Sequence, residues 1–417
     1  MNLPTRGAVL LGALLFAPAA TAMSLSDARQ LMRERNTELL GAAAEVRGAR
    51  ADAALAGLRP EPELSIGSSK ISPHHGIGSG RWQHKRIDST LGLEWTWERG
   101  GKRRLRTAQA NASLQASHLD LLDTQRLQEL DLHEHYFELK AAEEVAQLAQ
   151  DNLDASAEAL RAARHEVATG AMAPLQLTRL AADDLAVADQ ARQAQHALRA
   201  ARAELALLLG LETGDALRAD DPWPDVEQDV GSGAPGTALA ERSDVGAAAQ
   251  RLRSAEAGVA LARSGRHRDV QVGLEMEREP EDISGVTWGV TLSVPLGGRA
   301  RWQGEQARAL AERDLAELEL QQRQRQMRSE IEQLRLDAMA AVERRQAYEA
   351  MAAAGARSSL EGMELAYRRG AASLTDLLDA RRSWRELETE LIDARAGHAI
   401  ALARLRAATH VQQGETL

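Results

Sequence analysis

The chain has 417 residues, 51 Lys and Arg against 61 Asp and Glu for a net charge of -10, and no cysteine. The missing cysteine excludes disulfides, thiolate metal sites, a cysteine nucleophile and the acylated cysteine of a lipoprotein. The acidic balance with interspersed signs leaves no sustained basic face for phosphates, so no nucleic-acid partner is expected. With only 3% aromatic residues, and with Ala, Leu, Glu, Gln and Arg dominant, the composition is that of long helices.

Residues 1–22 hold one basic residue, Arg6, an apolar run from Ala8 to Ala17 and the small-residue exit Ala20-Thr21-Ala22. This pattern predicts a secretory signal peptide and a mature start near Met23. The run is about half of the ~20 residues that an N-terminal membrane anchor would need. No later stretch is apolar and long enough to span a membrane as a helix, so membrane entry would require a closed β-barrel.

The mature chain contains two copies of one pattern, residues 23–210 and 237–410, separated by an acidic, Pro- and Gly-bearing connector at 211–236 and trailed by a tail at 411–417. Each copy reads helix, strand, strand, very long helix, returning helix. In the first, Leu64 and Ile66 alternate with polar or small residues over about 63–71, and Leu91, Leu93, Trp95 and Trp97 do so over about 88–98. In the second, Val270, Val272, Leu274 and Met276 mark a strand at about 269–278, and Trp288, Val290, Leu292, Val294 and Leu296 another at about 287–296. Strands of about ten residues suffice to cross a bilayer at a tilt, and Trp82, Trp95, Trp97, Trp288 and Trp302 would suit its interface. Alternation alone describes an ordinary half-buried sheet equally well. Four strands are too few to close a membrane barrel, so a membrane reading requires several copies of the chain pooled by symmetry.

The second strand of each copy ends at a glycine joint, Gly100-Gly101-Lys102 or Gly297-Gly298-Arg299. Proline-free helical patterns continue from these joints at 102–168 and 299–368, each about 100 Å at 1.5 Å per residue. Leu132, Tyr136, Leu139, Ala146 and Leu153, and likewise Met327, Ile331, Leu334, Ala338, Ala341 and Tyr348, advance by three- and four-residue steps as coiled-coil seams do. Each rod stops at a turn, Thr169-Gly170-Ala171-Met172-Ala173-Pro174 or Arg369-Gly370-Ala371-Ala372-Ser373, before a returning helix at 174–209 or 374–409. Pro174 suits the first turn of its helix and Ser373 the N-cap.

The double repeat, the Gly-Gly joints and the turn sequences around Val167-Ala-Thr-Gly170 and Tyr367-Arg-Arg-Gly370-Ala-Ala-Ser373-Leu-Thr-Asp376-Leu-Leu-Asp379-Ala380 resemble the TolC-like outer-membrane efflux family over nearly the whole mature length. The resemblance implies a mainly α fold with a small membrane β part: a homotrimer with a twelve-stranded barrel, four strands per chain, continued by a periplasmic helical tunnel. It also implies the cell outer membrane as location, a periplasmic adaptor and an inner-membrane proton-driven pump as partners, outer-membrane lipid around the barrel, and neither a catalytic residue nor a cofactor. Loops 73–86 and 279–285 would then face the exterior. Glu98-Arg-Gly-Gly-Lys102-Arg103 is similar to the joint of cobalt-zinc-cadmium type efflux channels, which implies divalent heavy-metal cations as cargo. Drugs, organic solutes and exported polypeptides are alternatives, and a periplasmic coiled-coil adaptor or scaffold is the different class.

In the resembled family, acids six and nine residues after the second glycine turn ring the periplasmic entrance, and Asp376 and Asp379 stand there. The trimer would bring six carboxylates around one axis, whose repulsion should raise some of their pKa values and draw in divalent cations. The first copy has Gln176 and Arg179 at the equivalent offsets; Arg179 is expected to pair with an aspartate, and Tyr367, at the gate-tyrosine position, to bond Gln176. Ala372 replaces an expected gate arginine. Gly170, Gly370 and Ser373 are expected to form the adaptor-docking turns.

No firm metal site emerges from the eleven histidines. His133 and His135 are two apart on a helix and point to different faces. His74, His75 and His84 share a strand-to-strand loop. Met327, Met339, Met351 and Met363 recur every twelve residues, a step that leaves no common helix face, and are expected to fill the core. Lys102, Arg103, Arg104 and Arg106 oppose the dipole of the helix they begin, with anionic head groups or water as compensation.

Overall fold

A computed structural model describes residues 21–71, 73–74, 76–81, 85, 87–226, 242–279 and 285–409. Residues 1–20, His75, Trp82, His84, most of the connector beyond 226 and the tail lie outside the described residues. In chain order the elements are β1 (Thr21–Met23), α1 (Leu25–Arg35), α2 (Thr37–Ala56), β2 (Glu63–Ser69), β3 (Asp88–Trp97), α3 (Lys102–Ala168), α4 (Pro174–Leu208), β4 (Leu217–Ala219), α5 (Ser243–Ser264), β5 (Val270–Glu279), β6 (Gly285–Ser293), α6 (Arg299–Met351), α7 (Arg357–Arg368) and α8 (Leu374–Thr409). No described helix is long and apolar enough to cross a membrane.

The chain divides into two compact units. The described residues of the first, which spans 1–40, 125–235 and 329–410, are mainly helical. Its main core packs Met32 of α1, Leu132 and Leu139 of α3, and Leu198 and Leu205 of α4 around Leu209 and Leu217. Leu132, Tyr136, Leu139 and Ala146 are all buried, so the stripe read from the sequence is the packed seam of α3.

Part of the connector belongs to this core, which sequence reading missed. β4 pairs in parallel with β1, Trp223 stacks on Phe137 with centroids 5.8 Å apart, and its indole Nε1 donates to Glu144 at 2.9 Å. The Tyr136 hydroxyl donates to the Met23 carbonyl at 2.9 Å and accepts from the backbone N–H groups of Asp220 and Asp221 at 3.0 Å each. Burial pushes this phenol up to about 12, so at neutral pH it keeps the proton it donates.

The second unit comprises residues 41–124, 236–328 and 411–417 and holds one antiparallel sheet in the order β2-β3-β5-β6. The strand expected at 63–71 stops at Ser69, because Lys70 takes a left-handed φ of 59° that no ladder accommodates. The strand expected at 287–296 runs over Gly285–Ser293 instead, with Pro295 just beyond it.

The two long helices differ. α3 runs 67 residues without a break, whereas the expected continuous helix 299–368 is interrupted. A π-turn at Ala352–Ala356 separates α6 from α7, and Gly355 within it has φ 101° and ψ 21°. Extra-residue turns of this kind are a recognised cause of helix kinks. Of the four spaced methionines, Met327 is fully buried, whereas Met339 and Met351 are 48% and 60% exposed and lie outside the core of the single protomer.

Candidate functional site

The sheet assembles its side chains into two unlike faces, because directly paired residues share a side. Leu64, Leu93, Leu274 and Val290 form one row, Ile66, Leu91, Met276 and Trp288 the next, and Trp95, Val272 and Leu292 a third. The opposite side carries Ser65, Gly92, Glu275 and Gly289, then Gly67, Thr90, Glu277 and Thr287. A water-soluble sheet would bury the apolar side, yet Ile66 is 80%, Trp288 67% and Val290 77% exposed. An apolar outer face, a polar and small-residue inner face and two unpaired edge strands are the features of a membrane-barrel wall awaiting neighbours.

At the lower end of the strands all four joint glycines, Gly100, Gly101, Gly297 and Gly298, have positive φ, between 69° and 82°. A Cβ on Gly100 would also meet the His267 ring at 2.9 Å. The strand-to-helix reversal therefore demands glycine. Around it the basic start of α3 is neutralised within the protein: Lys102 pairs with Asp269 at 2.8 Å, and Arg106 holds Glu98 at 2.6 Å while also donating to the carbonyls of Ala56 and Leu58. For these two cations the expected compensation by head groups or water is replaced by carboxylates. Arg103 and Arg104 remain exposed.

The glycine turns of the helical unit have matching backbones. Gly170 and Gly370 each donate to the carbonyl three residues back, Val167 and Tyr367, and Ala171 and Ala371 each donate to the carbonyl five back, Glu166 and Ala366. This pair of bonds closes a helix with a left-handed residue after its C-cap. Beyond the second turn Ser373 caps α8 reciprocally: the Asp376 N–H donates to Ser373 Oγ at 3.2 Å, and the Ser373 N–H and hydroxyl donate to Asp376 Oδ2 at 3.0 and 2.6 Å. The first returning helix has Ala173 at its N-cap with no side-chain bond and Pro174 in its first turn.

This cap sets the electrostatics of the acidic pair. The Ser373 hydroxyl, then its backbone N–H, holds the Asp376 carboxyl below its ordinary range. Within one protomer the shift therefore runs opposite to the upward one expected for a ring of acids. Asp379 is exposed on the same helix face, while Leu374 and Leu377 beside the pair are buried. Arg179 bonds neither aspartate; its guanidinium donates to Thr375 Oγ1 at 3.2 Å. Within one protomer, among the described residues, Tyr367 and Gln176 share no hydrogen bond.

Sequence reading missed the ion pairs that hold the helices here. Arg381 clamps Glu364 of α7 at 2.8 Å, and Arg385 reaches Asp183 of α4 at 3.4 Å with both side chains largely buried. Neither arginine belongs to a motif, so only the packed helices reveal their partners. Of the histidines, His133 donates from Nδ1 to the Glu129 carbonyl at 2.6 Å. His75 and His84 lie outside the described residues.

The profile of the family described as Outer membrane efflux protein matches residues 28–211 and 234–409, both repeats and most of the chain. The chain belongs to this family. The pyoverdine export outer membrane protein OpmQ of Pseudomonas putida is 27% identical over 379 residues, 85% of this chain and 78% of that protein. Among solved structures, CusC superposes with a TM-score of 0.79 at 18% identity over 92% of this chain and 91% of its own. CmeC of Campylobacter jejuni superposes with 0.77 at 19% identity over 98% and 94%. At such identities the likeness is one of fold. As an outer membrane efflux protein, the chain is an outer-membrane channel subunit of the trimeric kind that works with a periplasmic adaptor and an inner-membrane pump. Its four strands are one protomer's share of a TolC-like barrel.

Proposed function

We propose that the channel exports divalent heavy-metal cations and that Asp376 and Asp379 form the cation-selective constriction at its periplasmic entrance. The observation that carries this reading is the position of the pair: two exposed carboxylates on one face of the first turns of α8, immediately after a glycine turn. The cap bond keeps Asp376 ionised, and ionised carboxylates are the oxygen ligands that hard and borderline divalent cations accept. Three protomers would supply six such groups. In this reading Tyr367, Gln176 and Arg179 form the gate, supported by the Arg179 bond to Thr375 next to Asp376, and the turns at Gly170 and Gly370 are the adaptor's docking edge. The joint sequence Glu98-Arg-Gly-Gly-Lys102-Arg103 supports metal as the cargo class.

The relative described as a pyoverdine export protein favours a second reading, pyoverdine or another organic solute as cargo. A deletion strain separates the two. Loss of tolerance to zinc, cobalt or cadmium, restored by the wild-type gene, supports metal export; unchanged metal tolerance with intracellular retention of pyoverdine or a drug supports the organic reading.

A further inference from the structure

We propose that His135, Glu138 and Glu204 form a resident divalent-metal site of the zinc type that ties α3 to α4. His135 and Glu138 are three apart and so share one face of α3; Glu204 reaches the same point from α4. His135 Nδ1 lies 3.2 Å from a Glu138 carboxylate oxygen and 4.0 Å from one of Glu204, and all three ligand atoms fall within 4.8 Å of one another. A tetrahedral ion with bonds of about 2.0–2.2 Å places its ligand atoms roughly 3.3–3.6 Å apart. Closing that shell draws together ligand atoms that now lie up to 4.8 Å apart.

The charges at this point also call for a cation. Two carboxylates converge on one imidazole, and no lysine or arginine forms an ion pair with either among the described residues. Arg404, whose field reaches Glu138, is already held by both oxygens of Glu134 at 2.7 and 3.0 Å. His133 is not among the three residues that converge here; its Nδ1 donates to the Glu129 carbonyl. Thus the histidine pair visible in the sequence is split, and His135 finds its co-ligands at three residues' distance and across the hairpin.

One imidazole nitrogen and two carboxylate oxygens suit a borderline ion such as Zn2+; a soft Cu+ prefers sulfur and Mg2+ prefers an all-oxygen octahedron. Three protein ligands leave a fourth position for water. Since the ligands come from residues 69 positions apart, an ion held here favours the folded hairpin and raises its stability by mass action. The site is separate from the cargo reading and stands whether metals or organic molecules pass through the channel.

The test uses the untagged full-length protein in detergent, titrated with Co2+ and then Zn2+ alone. The expected result is a visible Co2+ band that Zn2+ displaces, and a Zn2+-dependent rise in Tm. His135→Ala and, separately, the exposed Glu204→Gln should each weaken binding by at least about tenfold, since even the outer partners of metal ligands are worth that much. His118→Ala should bind as the wild type does, and so should the Asp376→Asn, Asp379→Asn double variant. Absence of binding, or binding undiminished in both ligand variants, overturns the site. So does binding that vanishes with the two aspartates, which would place the ion at the entrance. A pH-dependent stability without any metal dependence would leave His135 as an imidazolium clamp and overturn it as well.

Discussion

The Arg345 guanidinium donates to Nδ1 of His398 at 3.1 Å, and the imidazole is 1% exposed. Since arginine can only donate, the ring carries its proton on Nε2, a donor that is buried with no partner among the described residues. The same guanidinium donates to the Pro224 carbonyl at 2.5 Å and to Glu349 at 2.9 Å, so it joins α6, α8 and the connector. Burial first, and Arg345 second, hold the His398 pKa below its ordinary 6.5. His133 is lowered too, chiefly by burial.

These shifts give the protein an acid limb of stability. Below about pH 6.5 the unfolded chain takes up protons on both histidines while the folded chain does not, so stability is lost as pH falls from the ordinary value through the lowered folded values. Thermal unfolding scans between pH 7.5 and 5 should show Tm falling with acid. His398→Asn, which keeps an acceptor for Arg345 and removes the titration, should flatten the slope; an unchanged slope would exclude His398 as a contributor.

Tyr136→Phe should free the connector. The substitution keeps the ring but removes the acceptor for two backbone N–H groups and the donor to Met23, a loss of about 1–3 kcal/mol. Limited proteolysis should cut faster near Asp220 and Asp221 while the outer-membrane trimer persists. Equal cutting rates would show that the Trp223 stack alone holds the segment.

Gly355→Ala tests the break in the second long helix. An alanine at φ 101° is strained, and its Cβ would lie 2.8 Å from the Ser358 hydroxyl, so a penalty of about 1–2 kcal/mol is expected. If Tm rises instead, the helix runs straight through this point and the π-turn is not part of the native fold.

Most of the secondary structure was legible because its signals are local. The alternation of Leu91, Leu93, Trp95 and Trp97, the Gly-Gly joints and the Ser373 cap each depend on a few neighbouring residues, and each lies where the pattern puts it. What the pattern omits is what depends on partners distant in the chain. Leu217 to Trp223 reads as a polar connector, yet it docks on Tyr136 and Phe137, because three apolar residues make no periodicity. The kink at Gly355 was missed because an isolated glycine in a helical pattern is ordinarily tolerated. The convergence of Glu204 on His135 depends on helix pairing, of which a single helix's spacing carries no trace.

The Ser373 cap gives a local check on α8. Ser373→Ala removes the hydroxyl that Asp376 both accepts from and donates to, and amide exchange at Asp376 and Leu377 should become roughly fivefold faster. Exchange at the wild-type rate would mean that the buried Leu374 and Leu377 fix this turn without the cap.

Single-channel recording in planar bilayers tests the acidic entrance most directly. The wild-type trimer should prefer cations and be blocked by added divalent ions. Replacement of both Asp376 and Asp379 by alanine should reduce that preference and abolish the block. A double variant that kept both the selectivity and the divalent block of the wild type would contradict the assignment of the two aspartates to the constriction.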